Sequence, residues 1–229
     1  MELSQRLKCI IQNMNKCQSI IDVGTDHGYI PIHAVENGIV DFAIASDINK
    51  GPKEKAERNV RLLGLSDKIE CRLGAGLNTV KEKEVEAVIM AGMGGNLIRD
   101  IIIQDINKVK YFKYMILMPA QNPEILREFL YNNSFEIIKE DLCFEDGIFY
   151  EVFKVRYSEQ AINDNMDAFD YEFSPILIKD KHKLLKDFAE SKISKYTAIL
   201  SYINDDSPGA RIRKSEIEKK ILRIKEIAI

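Results

Sequence analysis

The feature that most restricts this chain is an alternation of two periodicities. Short β-branched runs and helix-period segments follow one another from residue 19 to residue 155. Ser19-Ile20-Ile21-Asp22-Val23-Gly24 reads as a strand closed by glycine, and residues 30–38 as a helix. The unit recurs with a strand at 42–47, a helix at 52–63 opened by Gly51-Pro52, and a strand at 69–73. Further strands are expected at 85–90, 114–118, 136–143 and 149–155, with helices near 95–103 and 123–132. A strand, a crossover helix and a parallel neighbour pack in one hand only. Repeating that unit predicts a mostly parallel, doubly wound, Rossmann-like α/β sheet. Ahead of it, residues 3–15 place Leu3, Leu7, Ile10, Ile11 and Met14 at helical spacing behind Ser4 as a possible cap, which predicts a covering helix.

The text changes past residue 158. Residues 160–170 turn polar, as a linker or loop does, and two helices are expected at 177–203 and 210–227 around the turn Asn204-Asp205-Asp206-Ser207-Pro208-Gly209. Leu184, Leu185 and Phe188, then Ile199, Tyr202 and Ile203, then Ile217, Ile221 and Ile224 predict an antiparallel, coiled-coil-like hairpin. The expected division is an α/β domain over residues 1–158 and a helical extension over 159–229, which 229 residues suffice to build. Charge follows this division. From residue 179 onward there are 13 Lys and Arg against 8 Asp and Glu, or +5, so residues 1–178 carry −8 of the overall −3. A basic tail suits a polyanion, although solvated helices are often Lys-rich without one.

Several classes are disfavoured. No apolar run approaches the roughly 20 residues that span a bilayer, and the start lacks the apolar stretch of a signal peptide. A soluble, cytoplasmic protein without a membrane partner is expected. Cys9, Cys17, Cys71 and Cys143 form no CxxC pair, so neither a metal site nor a disulfide framework is expected.

The chemistry concentrates at the first turn, Asp22-Val23-Gly24-Thr25-Asp26-His27-Gly28. Its glycines let the backbone turn sharply at the end of a strand and leave room for a ligand. The phosphate-cradling G-x-G-x-x-G is absent, which disfavours a nicotinamide oxidoreductase. The carboxylates of Asp22 and Asp26 would repel a pyrophosphate and suit the sulfonium and ammonium of S-adenosylmethionine. Asp47 ends the second strand about 20 residues on, where a carboxylate accepts from both ribose hydroxyls of an adenosine or simply caps the next helix. Ala75 and Gly76 follow the third strand, where an adenine would be read by backbone groups. Ala91-Gly92-Met93-Gly94-Gly95 follows the fourth strand and admits a flat base beside the methyl donor. Gln121 and Asn122 offer carboxamides between two prolines, to a base or as helix caps.

Taken in order, IIDVGTDHGYIP, SDINKGPKEKAERNV, GAGL, AGMGGNLI, PAQNPEILREFL and the late strand from Glu145 to Val152 resemble the bacterial TrmK family of tRNA adenine-N1 methyltransferases acting at position 22. The resemblance spans nearly the whole α/β part, and reaches the extension as architecture only. Ala75 stands where the family usually carries a polar or acidic residue, and Met118 where a glutamine is expected before Pro119. The resemblance implies an S-adenosylmethionine-dependent methyltransferase domain with a tRNA-binding helical extension, no metal and no obligate protein partner. The cofactor residues expected are Asp22, Gly24, Thr25, Asp26, Gly28, Asp47, Ile48, Ala75, Gly76, Ala91, Gly92 and Met93. Asp26, His27 and Asn122 are expected at the reacting base. His27 then accepts or relays the exocyclic proton that becomes acidic after N1 methylation, with a purely structural place in the turn as its alternative. Other readings are a methyltransferase of another RNA site or of a small molecule, and a non-catalytic RNA-binding protein on the same fold.

Overall fold

In the computed structural model, residues 3–161 and 166–227 are described; part of the polar 160–170 stretch thus lies outside them. The chain divides into Met1–Asp167 and Ala168–Ile229. The first unit runs α1 (Gln5–Asn13), β1 (Cys17–Val23), α2 (Tyr29–Glu36), β2 (Val40–Asp47), α3 (Lys50–Leu62), β3 (Ile69–Leu73) and a 3-10 turn (Gly76–Thr79). It continues through β4 (Ala87–Ala91), α4 (Gly95–Gln104), α5 (Ile106–Val109), β5 (Tyr114–Met118), α6 (Pro123–Asn132), β6 (Phe135–Glu145) and β7 (Ile148–Tyr157).

The seven strands form one sheet in the order β3-β2-β1-β4-β5-β7-β6. β1 to β5 are parallel, and β7 joins β5 antiparallel as half of a hairpin with β6. The chain reverses its direction of travel across the sheet between β1 and β4. Two crossovers leave this point on opposite faces, which opens a crevice beyond the carboxyl ends of both strands.

Strand alternation sorts the core. Ile20 points into a cluster with Ile10, Ile32, Ala56 and Val60 under α1 to α3, while its neighbours Ile21 and Val23 point into one with Ile98, Ile102, Leu126 and Leu130 under α4 and α6. Ser4 caps α1 by accepting from the Leu7 N–H. A cluster of paired charged groups sits in the core. Arg127 of α6 is fully buried against Glu140 of β6 and Glu151 of β7, at 2.5 and 2.6 Å, with its guanidinium over the Phe153 ring. Burial alone would depress its proton affinity, but the two carboxylates outweigh that and raise it.

The second unit contains α7 (Ala168–Glu172), α8 (Pro175–Lys179), α9 (Leu185–Tyr202) and α10 (Pro208–Ile227). The single helix expected over 177–203 is therefore two. Lys181 adopts a left-handed φ of 48°, and the His182 N–H turns back to the Leu177 carbonyl, which ends α8. Phe188, Ile217 and Ile224 are buried as the hairpin pattern requires, whereas Tyr202 is 83% exposed and has no place in a seam. No described helix is long and apolar enough to cross a membrane.

Candidate active site

The turn after β1 is built from left-handed backbone. Gly24, Asp26 and Gly28 have φ of 75°, 51° and 73°, and the Gly24 and Thr25 N–H groups both donate to the Ser46 carbonyl of β2 at 2.9 Å. The turn is thereby pinned to the neighbouring strand. At Gly28, which caps α2, a Cβ would stand 3.2 Å from the Ala56 Cβ, so glycine is required for close approach to α3 as well as for the dihedral. Asn59 of α3 donates to the His27 carbonyl at 3.0 Å.

Around this turn lies a cleft of about 440 Å³, lined by Ser4, Arg6, Leu7, Asp22, Gly24, Thr25, Asp26, His27, Tyr29, Ile30, Ala91, Gly92 and Met118. Asp22 is its electrostatic centre. The carboxylate is 3% exposed and accepts the Thr25 hydroxyl at 2.7 Å, and no cation pairs with it among the described residues. Burial pushes the carboxyl up to about 7, against the Thr25 hydrogen bond and assisted by the nearby charge of Asp47. Asp47 is also buried and takes the Asn49 N–H at 2.8 Å and, at 3.4 Å, the Asp26 N–H. Two acidic groups without a counter-charge among the described residues, at the mouth of a glycine turn, fit a cationic ligand.

The opposite wall is a pair of interlocked loops. Gly92 donates to the Met118 carbonyl, Ala120 to the Met93 carbonyl and Gly95 to the Gln121 carbonyl, at 3.0, 2.8 and 2.7 Å. A Cβ on Gly95 would collide with the Asn122 carbonyl, so the AGMGG run is glycine-rich partly to admit the PAQN loop. The methyl end of Met93 comes within 3.8 Å of where a Gly24 Cβ would stand, which brings the β4 loop over the first turn. His27 faces Asp26, with Nε2 and Oδ2 3.5 Å apart, and stacks on Tyr29 at 5.1 Å between centroids. α1 closes the side. Arg6 Nε donates to Glu145 at 2.8 Å and its guanidinium lies over Tyr150, which holds the cleft-lining Arg6 and Leu7 against the β6–β7 hairpin.

Of the residues expected from sequence, Asp22, Gly24, Thr25, Asp26, His27, Ala91 and Gly92 meet in this cleft. Asp47 touches it through the Asp26 amide, and Ala75 and Gly76 lie on a loop that Gly74 ties to the Asp47 carbonyl at 2.9 Å. Gly28, Ile48, Met93 and Asn122 stand outside its lining; Ile48 is 66% exposed, and Asn122 caps α6 in left-handed conformation without a side-chain cap bond. Sequence reasoning missed Ser4, Arg6, Leu7, Tyr29, Ile30 and Met118 as lining residues. Tyr29 and Ile30 directly follow the DHG motif, and that adjacency was the available signal. Arg6 had none, because its partner lies 139 residues away.

Residues 20–226 match the family described as TrmK, tRNA (adenine(22)-N(1))-methyltransferase. A tRNA (adenine(22)-N(1))-methyltransferase of Bacillus subtilis is 37% identical over 152 residues, covering 66% of this chain and 64% of that protein, just under two thirds of its length. A Streptococcus pneumoniae structure solved in complex with S-adenosyl-L-methionine is 30% identical, with a TM-score of 0.87 over 100% of both chains. A structure of M. capricolum TrmK in complex with the natural cofactor product S-adenosyl-homocysteine is 29% identical with a TM-score of 0.82, covering 100% of this chain and 98% of that one.

Proposed function

Because this chain belongs to the tRNA (adenine(22)-N(1))-methyltransferase family, we propose that it transfers a methyl group from S-adenosylmethionine to N1 of adenosine 22 of tRNA. The observation that carries this is Asp22. A buried carboxylate with no paired cation among the described residues, next to Asp47 and under a glycine turn, is a site for a positively charged adenosine derivative. Asp22, Gly24 and Thr25 would hold the amino-acid end, Asp47 the ribose, and Ala75 and Gly76 the adenine. The bound cofactor supplies a methyl group on a sulfonium, an electrophile that needs no activation by the protein.

The chain's own residues have two tasks. Adenine N1 is a neutral nitrogen with an available lone pair, so no base is required for attack, and the rate rests on alignment and on tolerance of the positive charge that develops on the ring. The loops after β4 and β5, through Ala91, Gly92 and Met118, would form one wall against the base, and the stacked His27–Tyr29 pair the other. Asp26, 3.5 Å from His27, orients the imidazole to take up the exocyclic proton that methylation makes acidic. N1 lies on the pairing edge, so the base must be extruded into the cleft at a cost of a few kcal/mol. The basic helical unit contributes affinity for the RNA that offsets this cost.

Incubating unmodified tRNA with the protein and labelled cofactor, then digesting with a base-specific ribonuclease to oligonucleotides for mass spectrometry, should place 1-methyladenosine at position 22 and nowhere else. Label in another nucleoside, or in none, would reject the assignment.

A further inference from the structure

Helix α3 has two unlike faces. Ala56 and Val60 are buried in the core, Ala56 packs on Gly28, and Asn59 holds the His27 carbonyl, so the inner face is fixed to the turn that lines the cleft. The outer face is cationic. Residues 50–68 contain six Lys and Arg against three Asp and Glu, a local excess of +3 within residues 1–178 that sum to −8. Glu54 pairs with Lys50 and Glu57 with Lys53 along the helix, which uses up both acidic groups of α3. Lys55, Arg58 and Arg61 are exposed and make no ion pair among the described residues. Spaced three residues apart, they extend along roughly 9 Å of helix at 1.5 Å per residue. A shallow groove of about 410 Å³ runs between Gly51, Glu54, Lys55, Glu57, Arg58 and Arg61.

Solubility does not account for this arrangement, because an acidic domain gains nothing in that respect from three unpaired cations on one helix. On the functional reading above, which this inference presupposes, we propose that Lys55, Arg58 and Arg61 of α3 form a phosphate clamp that grips the tRNA backbone beside the extruded adenosine. Charge complementarity identifies the occupant, and the rigid link through Asn59 and Gly28 fixes the clamp's distance from His27. Backbone contacts made by the catalytic unit itself set the register of the base with respect to the cleft, a task that affinity alone does not accomplish. Each phosphate neutralised releases counter-ions and adds to the salt dependence of binding.

The test compares the full chain with the triple variant Lys55→Gln, Arg58→Gln, Arg61→Gln and with the charge-preserving triple Lys55→Arg, Arg58→Lys, Arg61→Lys. Binding of unmodified tRNA is measured across a salt series, together with KM for tRNA, Kd for the cofactor and thermal midpoint. The neutral triple should show a plot of log affinity against log salt shallower by about two to three, a KM raised about tenfold or more, and an unchanged cofactor Kd and midpoint. The charge-preserving triple should behave as the parent. A neutral triple with the parent's slope and KM overturns the clamp while leaving the methyltransferase reading intact. A parent that binds tRNA with a slope the neutral triple lowers, yet methylates no adenosine, overturns the reading and keeps the clamp.

Discussion

The two units are held together by different means. The first buries an apolar sheet on both faces, and the cleft residues are pinned by backbone hydrogen bonds between adjacent loops. The second buries little: Phe169, Phe173 and Phe188 stack in sequence at 5.9 and 5.4 Å, and Leu177, Ile217 and Ile224 are among its few other buried side chains. Surface pairs complete it, with Glu172 joining Tyr196 and Lys220, and Arg223 meeting Asp170 at 3.0 Å and lying over Phe169. A crevice that must orient atoms needs the first kind of construction. On the proposed function, a charged surface that follows a polyanion tolerates the second, since Coulomb attraction does not depend on close packing.

Removing everything after residue 158 should break the comparison most completely. The strands and turns of the cleft all precede it, so a folded unit should bind S-adenosylmethionine with its original Kd, while tRNA methylation falls by roughly 100-fold with the loss of the basic helices. Activity near that of the full chain would assign RNA binding to the first unit alone. Next in size is Arg127→Met. It leaves Glu140 and Glu151 buried without their cation, which typically costs about 3–5 kcal/mol. Denaturant unfolding should show the first unit's transition and cofactor binding weakened together; a loss below about 1 kcal/mol would mean that the carboxylates find other partners.

Phe173→Ala should cost a comparable or slightly smaller amount, about 3–4 kcal/mol, but in the second unit only. Hydrogen exchange should then accelerate in α9 and α10 while cofactor Kd stays unchanged, and acceleration in β1 or β4 would show that the units do not unfold separately. The smallest effect is one of pH. The folded protein holds Asp22 at about 7, above the ordinary carboxylate value, so the ligand-free fold is favoured by its protonation at low pH and loses that contribution as pH rises through 7. Cofactor binding has the opposite sign, because a cation selects the ionised carboxylate. Affinity should therefore rise by up to about tenfold per pH unit below 7 and level off above it, and calorimetry of Asp22→Asn should give a flat profile. A sloping profile in that variant would assign the titration to another group.

Much of this was legible in the residues themselves. The β3, β5 and α6 limits agree residue for residue with the pattern, since Gly74 and Pro119 stop the two strands and Pro123 opens the helix. The DVGTDHG turn announced a ligand crevice because left-handed backbone and two carboxylates are local properties. What the sequence did not show depends on contacts between distant segments. α1 enters the cleft through Arg6 and Glu145, and three-dimensional packing alone brings residues 139 positions apart together. The break after Lys179 arises from one left-handed lysine, a conformation that no local rule assigns to that residue type. Burial, too, belongs to the tertiary structure: one aspartate in a turn looks like another in sequence, and only the folded surroundings of Asp22 remove its water and move its titration to the neutral range.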